Sequence, residues 1–138
     1  MTPRRLGALR ALLNRAYAEY DRRWIEPDPV QFVWRYDRPE DREVAGLVAS
    51  SLAYGNIKQI RRSVESVLGI LGDRPARALD SLNARNALRS LEGLKHRFND
   101  AVDAACLLVF LREMRRAAGS VESFFAPGMT SPGLLSSR

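Results

Sequence analysis

The chain has 138 residues, of which 46% are hydrophobic and 28% charged, a composition typical of one globular domain rather than a disordered chain. A single cysteine, Cys106, excludes an internal disulfide, and with one histidine, His96, the chain is poorly supplied for a zinc site, so we expect no metal or cofactor. The net charge of +6 favours anionic partners such as nucleic acid but does not specify one.

No apolar run is long enough to cross a membrane, since the longest covers only residues 104–111. We therefore expect no membrane partner and a cytoplasmic location, which the cysteine usage suits. The arginine-rich N-terminus, with no acid before Glu19, would be compatible with an organelle targeting peptide. Its helical periodicity favours an ordinary amphipathic first helix instead.

The first predicted helix covers roughly residues 3–22, and Pro27 excludes its continuation. Its apolar positions fall on one face, which comprises Leu6, Leu9, Leu13, Ala16, Tyr17 and Tyr20. A short helix should follow, with Asp28 as N-cap and Pro29 at the first position. We expect this helix to place Val30, Val33 and Trp34 against the core, with Phe32 and Tyr36 nearby.

The third predicted helix begins at Pro39 and carries Glu40, Asp41 and Glu43 near its start, where the helix dipole favours negative charge. Its buried stripe is expected to be Val44, Leu47, Val48 and Leu52. Small residues cover much of the rest of its surface, namely Ala45, Gly46, Ala49, Ser50, Ser51 and Ala53. Neighbours can approach such a helix closely, so we expect it to lie at the centre of the fold.

Gly55 should end that helix in a left-handed turn, and Asn56 should cap the next one. The new helix is amphipathic, with Ile57, Ile60, Val64, Val67, Leu68 and Leu71 on its apolar face. Lys58, Arg61, Arg62 and Glu65 lie on the opposite face. Backbone N–H groups at its start, with Lys58 and Arg61 close by, could hold a phosphate. Alternatively, the corner is an ordinary capped turn beside a solvated face, the interpretation we prefer because helix ends need caps.

In the second half of the chain we predict a short helix at 75–82, followed by a loop or weak helix at 83–93. A long helix should begin after the N-cap Asn99 and end at Gly119. This long helix is apolar almost all round from 104 to 111, so it should be buried on several sides, with Cys106 as an inert core residue. One more turn follows at 121–125. No hairpin signal is present, and the fold class is therefore all-α, an orthogonal bundle of about six helices over residues 1–126 with a flexible or truncated tail at 127–138.

The segment LKHRFND carries the other candidate site residues. His96 could act as acid, base or phosphate contact, although a histidine without a partnered carboxylate or nucleophile is more often structural. Arg97 could pair with a phosphate or with a carboxylate such as Asp100 or Asp103. Phe98 could stack on a base, but we favour a hydrophobic staple at the start of the long helix.

Three segments together, DPVQFVWRYDRPEDREVAGLVASSLAYGNIKQI, HRFND and GSVESFF, resemble a family of uncharacterised bacterial proteins with the pattern DPxxFxxRY…LAYGN..QI…HRFN. The resemblance covers about residues 9–125 and implies an N-terminal half, since family members are longer. That family is similar in fold to the helix-hairpin-helix DNA glycosylases, which implies that the corner lies near a DNA strand. The positions expected to contact DNA are Tyr54, Asn56, Lys58, His96, Arg97 and Asn99, together with the basic residues Arg61 and Arg62.

Weak DNA binding by helix N-termini and basic side chains, without catalysis by this chain alone, is therefore the leading hypothesis. The alternative hypothesis is that the chain is part of a glycosylase-like enzyme that acts on nucleobases. In that case the catalytic half of the enzyme is missing from this chain, because base flipping requires a complete pocket. A third hypothesis is a non-catalytic interaction module whose apolar surface binds a missing C-terminal half or a second copy.

Overall fold

The computed structural model describes residues 3–20, 26 and 28–126, and within them the all-α prediction is confirmed. The helices are α1 (Pro3–Glu19), a 3₁₀ helix (Pro29–Arg35), α2 (Pro39–Ser51), α3 (Ile57–Gly69), α4 (Pro75–Asp80), α5 (Ala84–Ser90), α6 (Ala101–Ala118) and α7 (Val121–Phe125). The predicted end of the first helix near Arg22, the stop at Pro27 and the tail at 127–138 lie outside the described residues. None of the described helices is both long and apolar enough to span a membrane.

A short antiparallel hairpin interrupts the helical order, with β1 (Lys95–His96) paired to β2 (Asn99–Asp100). Lys95 lies opposite Asp100 and His96 opposite Asn99, so Arg97 and Phe98 form a two-residue turn. This hairpin was not predicted, because each strand is too short to show a period of two and the turn contains neither glycine nor asparagine.

The centre of the fold is α2, as its small residues predicted. It packs against the 3₁₀ helix, α3, α4 and α7, and four of its side chains are buried apolar residues: Val44, Ala45, Val48 and Ala49. The predicted apolar face of α3 is likewise confirmed, since Ile60, Val64, Val67 and Leu68 are all buried. From the other side, α6 contributes Leu108 and Leu111 to the same core.

Two of the predicted core contacts of the 3₁₀ helix, Val30 and Trp34, were wrong, although Asp28 does cap it by accepting a hydrogen bond from Val30 N at 2.8 Å. Phe32 is completely buried, whereas Val30 and Trp34 are exposed. Val33 and Tyr36 are half-buried, and Tyr36 packs against the core. A 3₁₀ helix has three residues per turn, so the side that it turns to the core differs from the side that an α-helical period selects.

Two acids near the start of α2, Asp41 and Glu43, form hydrogen bonds with other helices in addition to their favourable interaction with the dipole of α2. Asp41 is buried and accepts a hydrogen bond from Ala76 N at 2.9 Å, at the start of α4, while Arg74 lies 3.3 Å from its other oxygen. Glu43 accepts from Val121 N at 2.9 Å, at the start of α7. The two acids therefore tie the N-termini of two later helices to the central one.

Two predictions for the long helix α6 were wrong. Asp100, not Asn99, is its N-cap, and Asp103 completes a capping box by accepting from Asp100 N at 2.9 Å. The helix is also not buried all round, because Val102, Cys106 and Phe110 are exposed at intervals of four residues on one face. Gly119, with a positive φ of 84°, ends the helix as predicted.

The first helix also differs from its prediction. The leucines of its apolar face, Leu6, Leu9 and Leu13, are between 41% and 59% exposed, and Tyr17 is 87% exposed. Helical periodicity identifies an amphipathic helix but cannot tell whether a matching surface exists to cover it.

Candidate nucleic-acid interface

The corner between α2 and α3 is built as a capped turn. Gly55 has a φ of +101°, a conformation that glycine adopts without steric cost. Asn56 then caps α3 by accepting a hydrogen bond from Lys58 N at 2.9 Å. Asn56 therefore caps α3 as predicted, whereas Gly55 does not end α2, because that helix ends at Ser51 with Leu52 as its C-cap.

The hairpin lies alongside the first turns of α3. The side-chain amide of Gln59 donates to the carbonyl of Lys95 at 3.4 Å, and further along the helix Ser63 Oγ lies 2.9 Å from His96 Nδ1. At the corner itself, a Cβ on Gly55 would come within 2.9 Å of Arg97 Cδ. Position 55 thus favours glycine for two reasons: the backbone there has a positive φ, and the side chain of Arg97 comes close to it.

His96 is an internal residue. It is completely buried, its Nδ1 shares the hydrogen bond with Ser63, and the ring of Tyr54 meets it edge-on with a centroid distance of 4.7 Å. Its Nε2 has no hydrogen-bond partner among the described residues. A ring enclosed in this way is not presented to a ligand at the surface, which supports the structural interpretation of His96.

Tyr54 and Asn99 complete the same internal cluster. The Tyr54 hydroxyl donates to Asn99 Oδ1 at 2.9 Å, with the carbonyl oxygen of His96 at 3.3 Å, and both side chains are half-buried. Three of the predicted contact positions, Tyr54, His96 and Asn99, therefore fasten the hairpin to the corner. They support the surface from within rather than forming it.

The surface itself carries four exposed cations, Lys58, Arg62, Lys95 and Arg97, for which no ion pair is found within the part of the chain that the structure describes. We call this set the cationic edge. Arg61, which was predicted to belong to it, instead pairs with Glu26 at 3.1 Å and retains 36% side-chain exposure. Sequence reasoning missed Lys95, although its position directly before His96 and Arg97 was a signal.

Arg62 and Lys95 also line a common cavity of about 420 Å³ between α3 and the hairpin. Three hydroxyl side chains share its wall, those of Ser63, Ser66 and Ser90, together with one acid, Glu92. Cations and hydroxyl donors are groups that contact phosphate oxygens in protein–nucleic acid complexes.

The turn of the hairpin projects beyond the cationic edge. Arg97 has a positive φ of 55°, uncommon for a residue with a side chain, and Phe98 is 82% exposed. The guanidinium carbon of Arg97 lies 5.6 Å from the centroid of the Phe98 ring. The predicted hydrophobic staple was therefore wrong, because the tight turn carries Phe98 outward instead of against α6.

A larger cavity of about 610 Å³ lies on the 3₁₀-helix side of α3, and Arg35, Tyr36, Asp41, Glu65 and Arg74 are among its lining residues. Its arginines are already engaged, since Arg35 pairs with Glu65 at 2.9 Å and Arg74 with Asp41. Burial raises the pKa of the Tyr36 phenol above its usual value of 10.0. Within the described residues no group of three histidine, cysteine or acidic side chains could hold a metal ion.

The fold and this edge define a small all-α protein with a cationic surface around a rigid hairpin. Residues 28–137 match the family described as a protein of unknown function (DUF2400), and the chain belongs to that family. Comparisons with curated proteins and with solved structures found no match. The description agrees with the expectation of an uncharacterised family. Its bacterial occurrence, the quoted sequence pattern and the similarity to DNA glycosylases stay predictions.

Proposed function

We propose that this protein binds DNA through the cationic edge. The observation that carries the proposal is the contrast between these four cations and two arginines elsewhere around α3. Arg61 and Arg35 are each neutralised by a glutamate, whereas no acid pairs with Lys58, Arg62, Lys95 or Arg97 among the described residues. Exposed cations without partners are available to phosphates.

The position of the edge at the start of α3 adds to its attraction for anions. The N-terminus of a helix carries a partial positive charge, and the 13 residues of α3 form a helix of more than three turns. With only four phosphate contacts we expect weak binding. The affinity should depend strongly on salt, because each contact releases counterions from the DNA.

Catalysis is not part of this proposal. The only histidine is enclosed and hydrogen-bonded to Ser63, so it does not face the edge where DNA would lie. The glycosylase-like alternative predicts release of damaged bases from a duplex, and the DNA-binding proposal predicts binding without release. Incubation of the protein with lesion-containing duplexes distinguishes the two.

The direct test is titration of a fluorescent DNA duplex with the protein at several salt concentrations. If each of the four cations meets one phosphate, the affinity should fall with salt with a log–log slope of roughly −3 to −4. Replacing Lys58 and Arg62 together by alanine should lower the magnitude of that slope by about two. Absence of binding at low salt, or binding that does not respond to salt, would contradict the proposal.

A matched control separates local contacts from overall charge. Lys58→Glu and Arg77→Glu change the net charge equally, but Arg77 lies on α4, which packs on α2 and α6 rather than beside the hairpin. We expect Lys58→Glu to weaken binding on the order of ten-fold and Arg77→Glu to change it much less. Equal losses would show that only net charge matters.

A second candidate function, an interaction module, is supported by the apolar face of α1. Its leucines are largely exposed and Tyr17 is almost fully exposed, which is costly in water unless another surface covers them. Light scattering of the protein over a range of concentrations tests this. Self-association that Leu9→Lys and Leu13→Lys abolish would favour it, whereas a monomer at every concentration would exclude self-association as the role of this face.

A further inference from the structure

We infer that the Arg97–Phe98 turn presents Phe98 as a stacking platform for an unpaired nucleobase, so that the preferred ligand of the cationic edge is single-stranded or locally opened DNA. The inference rests on the proposed DNA binding and specifies its substrate class. The observation behind it is an aromatic ring that is 82% exposed beside the cation Arg97, on the hairpin that also carries Lys95.

The exposure of Phe98 is built into the fold rather than accidental. Pairing of β1 with β2 limits the turn to two residues, and Arg97 adopts the positive φ that closes it. The hydrogen bond from Tyr54 to Asn99 and the buried His96 fasten the strands on either side. A ring held out on a fixed turn loses little conformational freedom when a base stacks on it.

The ring has room for a base. The guanidinium of Arg97, 5.6 Å from the ring centroid, is its described cation–π partner. With more than four-fifths of the residue exposed, most of the aromatic surface stays open to solvent. Base–aromatic stacking of this kind is tolerant of sequence, since every base offers a π face.

Cations lie near the ring along the hairpin and the start of α3, with one acid, Asp100, opposite Lys95. Arg97 is the neighbouring residue in the chain, Lys95 precedes it on β1, and Gln59 links β1 to α3 close to Lys58. A phosphate can therefore be neutralised while the base of the same strand stacks on Phe98. A base within an intact duplex has both faces covered by its neighbours, so this combination selects a base that is free of the stack.

The test compares two single strands of equal length and charge, an oligothymidine and an oligomer of abasic sugar phosphates. Because both carry the same phosphates, any difference in affinity reports contacts to bases. We expect the protein to bind the oligothymidine on the order of ten-fold more tightly, and Phe98→Ala to remove this preference while leaving the affinity for the abasic strand unchanged. Phe98→Trp should retain the preference.

The outcomes separate this inference from the proposed function. Equal affinity for both strands in the unaltered protein, with the salt dependence intact, would overturn base stacking and leave phosphate binding standing. Loss of binding to both strands in Lys58→Glu, but not in Phe98→Ala, would support separate roles for charge and ring. If Phe98→Ala altered only the oligomeric state of the free protein, the ring would be a protein contact and the inference would be wrong.

Because Phe98 contributes nothing to the buried core, its alanine variant should unfold at the same temperature as the unaltered protein, as measured by circular dichroism. A lower unfolding temperature together with a loss of binding to both strands would mean that Phe98 acts through the fold and would contradict the inference.

Discussion

At the scale of single residues, Asp41 shows how a charged side chain can belong to the interior. Only 2% of its surface is exposed, yet both of its oxygens are engaged, one with Ala76 N and the other with Arg74. Buried charges are tolerated when paired and hydrogen-bonded in this way. The carboxylate thereby fixes the start of α4 against α2.

We expect Asp41→Ala to lower the free energy of unfolding by about 2 kcal/mol, because Ala76 N would lose its partner inside the protein. Urea denaturation followed by circular dichroism measures the change. Glu40→Ala is the matched control, since Glu40 lies in the same first turn but pairs only with exposed Arg38 at 3.7 Å. That variant should differ from the parent by less than about 1 kcal/mol, and an equal effect of both would refute the role of Asp41.

Ionisation of the Tyr36 phenol makes the free energy of unfolding depend on pH in the alkaline range. Burial raises the pKa of its phenol, an effect that Arg35 opposes and that Asp41 and Asp73 reinforce. Because the folded protein holds the phenolic proton more tightly than the unfolded chain, its contribution to stability is complete below pH 10 and is lost as pH rises through the folded pKa.

Alkaline titration followed by phenolate absorbance should therefore show ionisation of Tyr36 above pH 10. Tyr36→Phe should remove this late step and flatten the loss of stability above pH 10. Tyr17→Phe, at an exposed position, should leave the late step in place. A late step that survives in Tyr36→Phe would contradict the assignment.

Most residues whose partners are close in sequence could be predicted, the N-cap of α6 being an exception, and residues with distant partners could not. Asp28 and Asn56 bind N–H groups two positions away, so their capping roles follow from the local sequence. Asp41 and Glu43 bind N–H groups 35 and 78 positions away, and nothing near them in sequence indicates those contacts. The helix dipole therefore explained where these acids occur but not what they bind.

At the scale of elements, the 3₁₀ helix shows why the period of a short segment matters. Five apolar or aromatic residues lie from Val30 to Tyr36. An α-helical period wrongly selected two of them, Val30 and Trp34, for the core. With three residues per turn, Phe32 is the one that points inward and is fully buried. Its ring also lies 4.3 Å from the guanidinium of Arg35, one turn further on.

Phe32→Ala should accordingly lower the free energy of unfolding by about 3–5 kcal/mol, the usual cost of removing a buried phenylalanine side chain. Val30→Ala, on the same helix but exposed, should cost less than about 1 kcal/mol. Chemical denaturation of both variants provides the comparison. A larger effect at Val30 than at Phe32 would restore the α-helical interpretation of this segment.

The hairpin is an element that was not predicted from the sequence, and it forms part of the candidate site. Its strands have two residues each, so their formation depends on contacts with α3 more than on strand propensity. The pairing of His96 with Ser63 and of Tyr54 with Asn99 joins residues 33 and 45 positions apart. Sequence reasoning listed Tyr54, His96 and Asn99 as possible DNA contacts, and the structure shows all three buried or half-buried. For His96 this agrees with the structural role that was preferred.

At the scale of the whole molecule, apolar surface is distributed unevenly. The core around α2, α3 and α6 is buried as its periodicity predicted, whereas α1 and the outer face of α6 leave large side chains exposed. Periodicity described each of these helices correctly as amphipathic or apolar, but the number of neighbours that a helix acquires is a property of the assembled fold.

Deletion of residues 1–20 should therefore change the free energy of unfolding of the remaining chain by less than about 1 kcal/mol, because the leucines of α1 bury little apolar area. Leu108→Ala, at a fully buried position of α6, serves as the contrasting change and should cost about 2–5 kcal/mol. Thermal unfolding of both proteins gives the measurement. Loss of cooperative unfolding on deletion would show that α1 supports the core.

The contact between Gly55 and Arg97 constrains the two positions unequally over evolutionary time. A shorter side chain at position 97 would only open space beside the glycine. A larger residue at position 55 would meet Arg97 Cδ at 2.9 Å, on a backbone already unsuited to side chains. Shortening Arg97 would remove that contact but not the cost of the positive φ, so glycine is constrained at position 55 whatever residue stands at position 97.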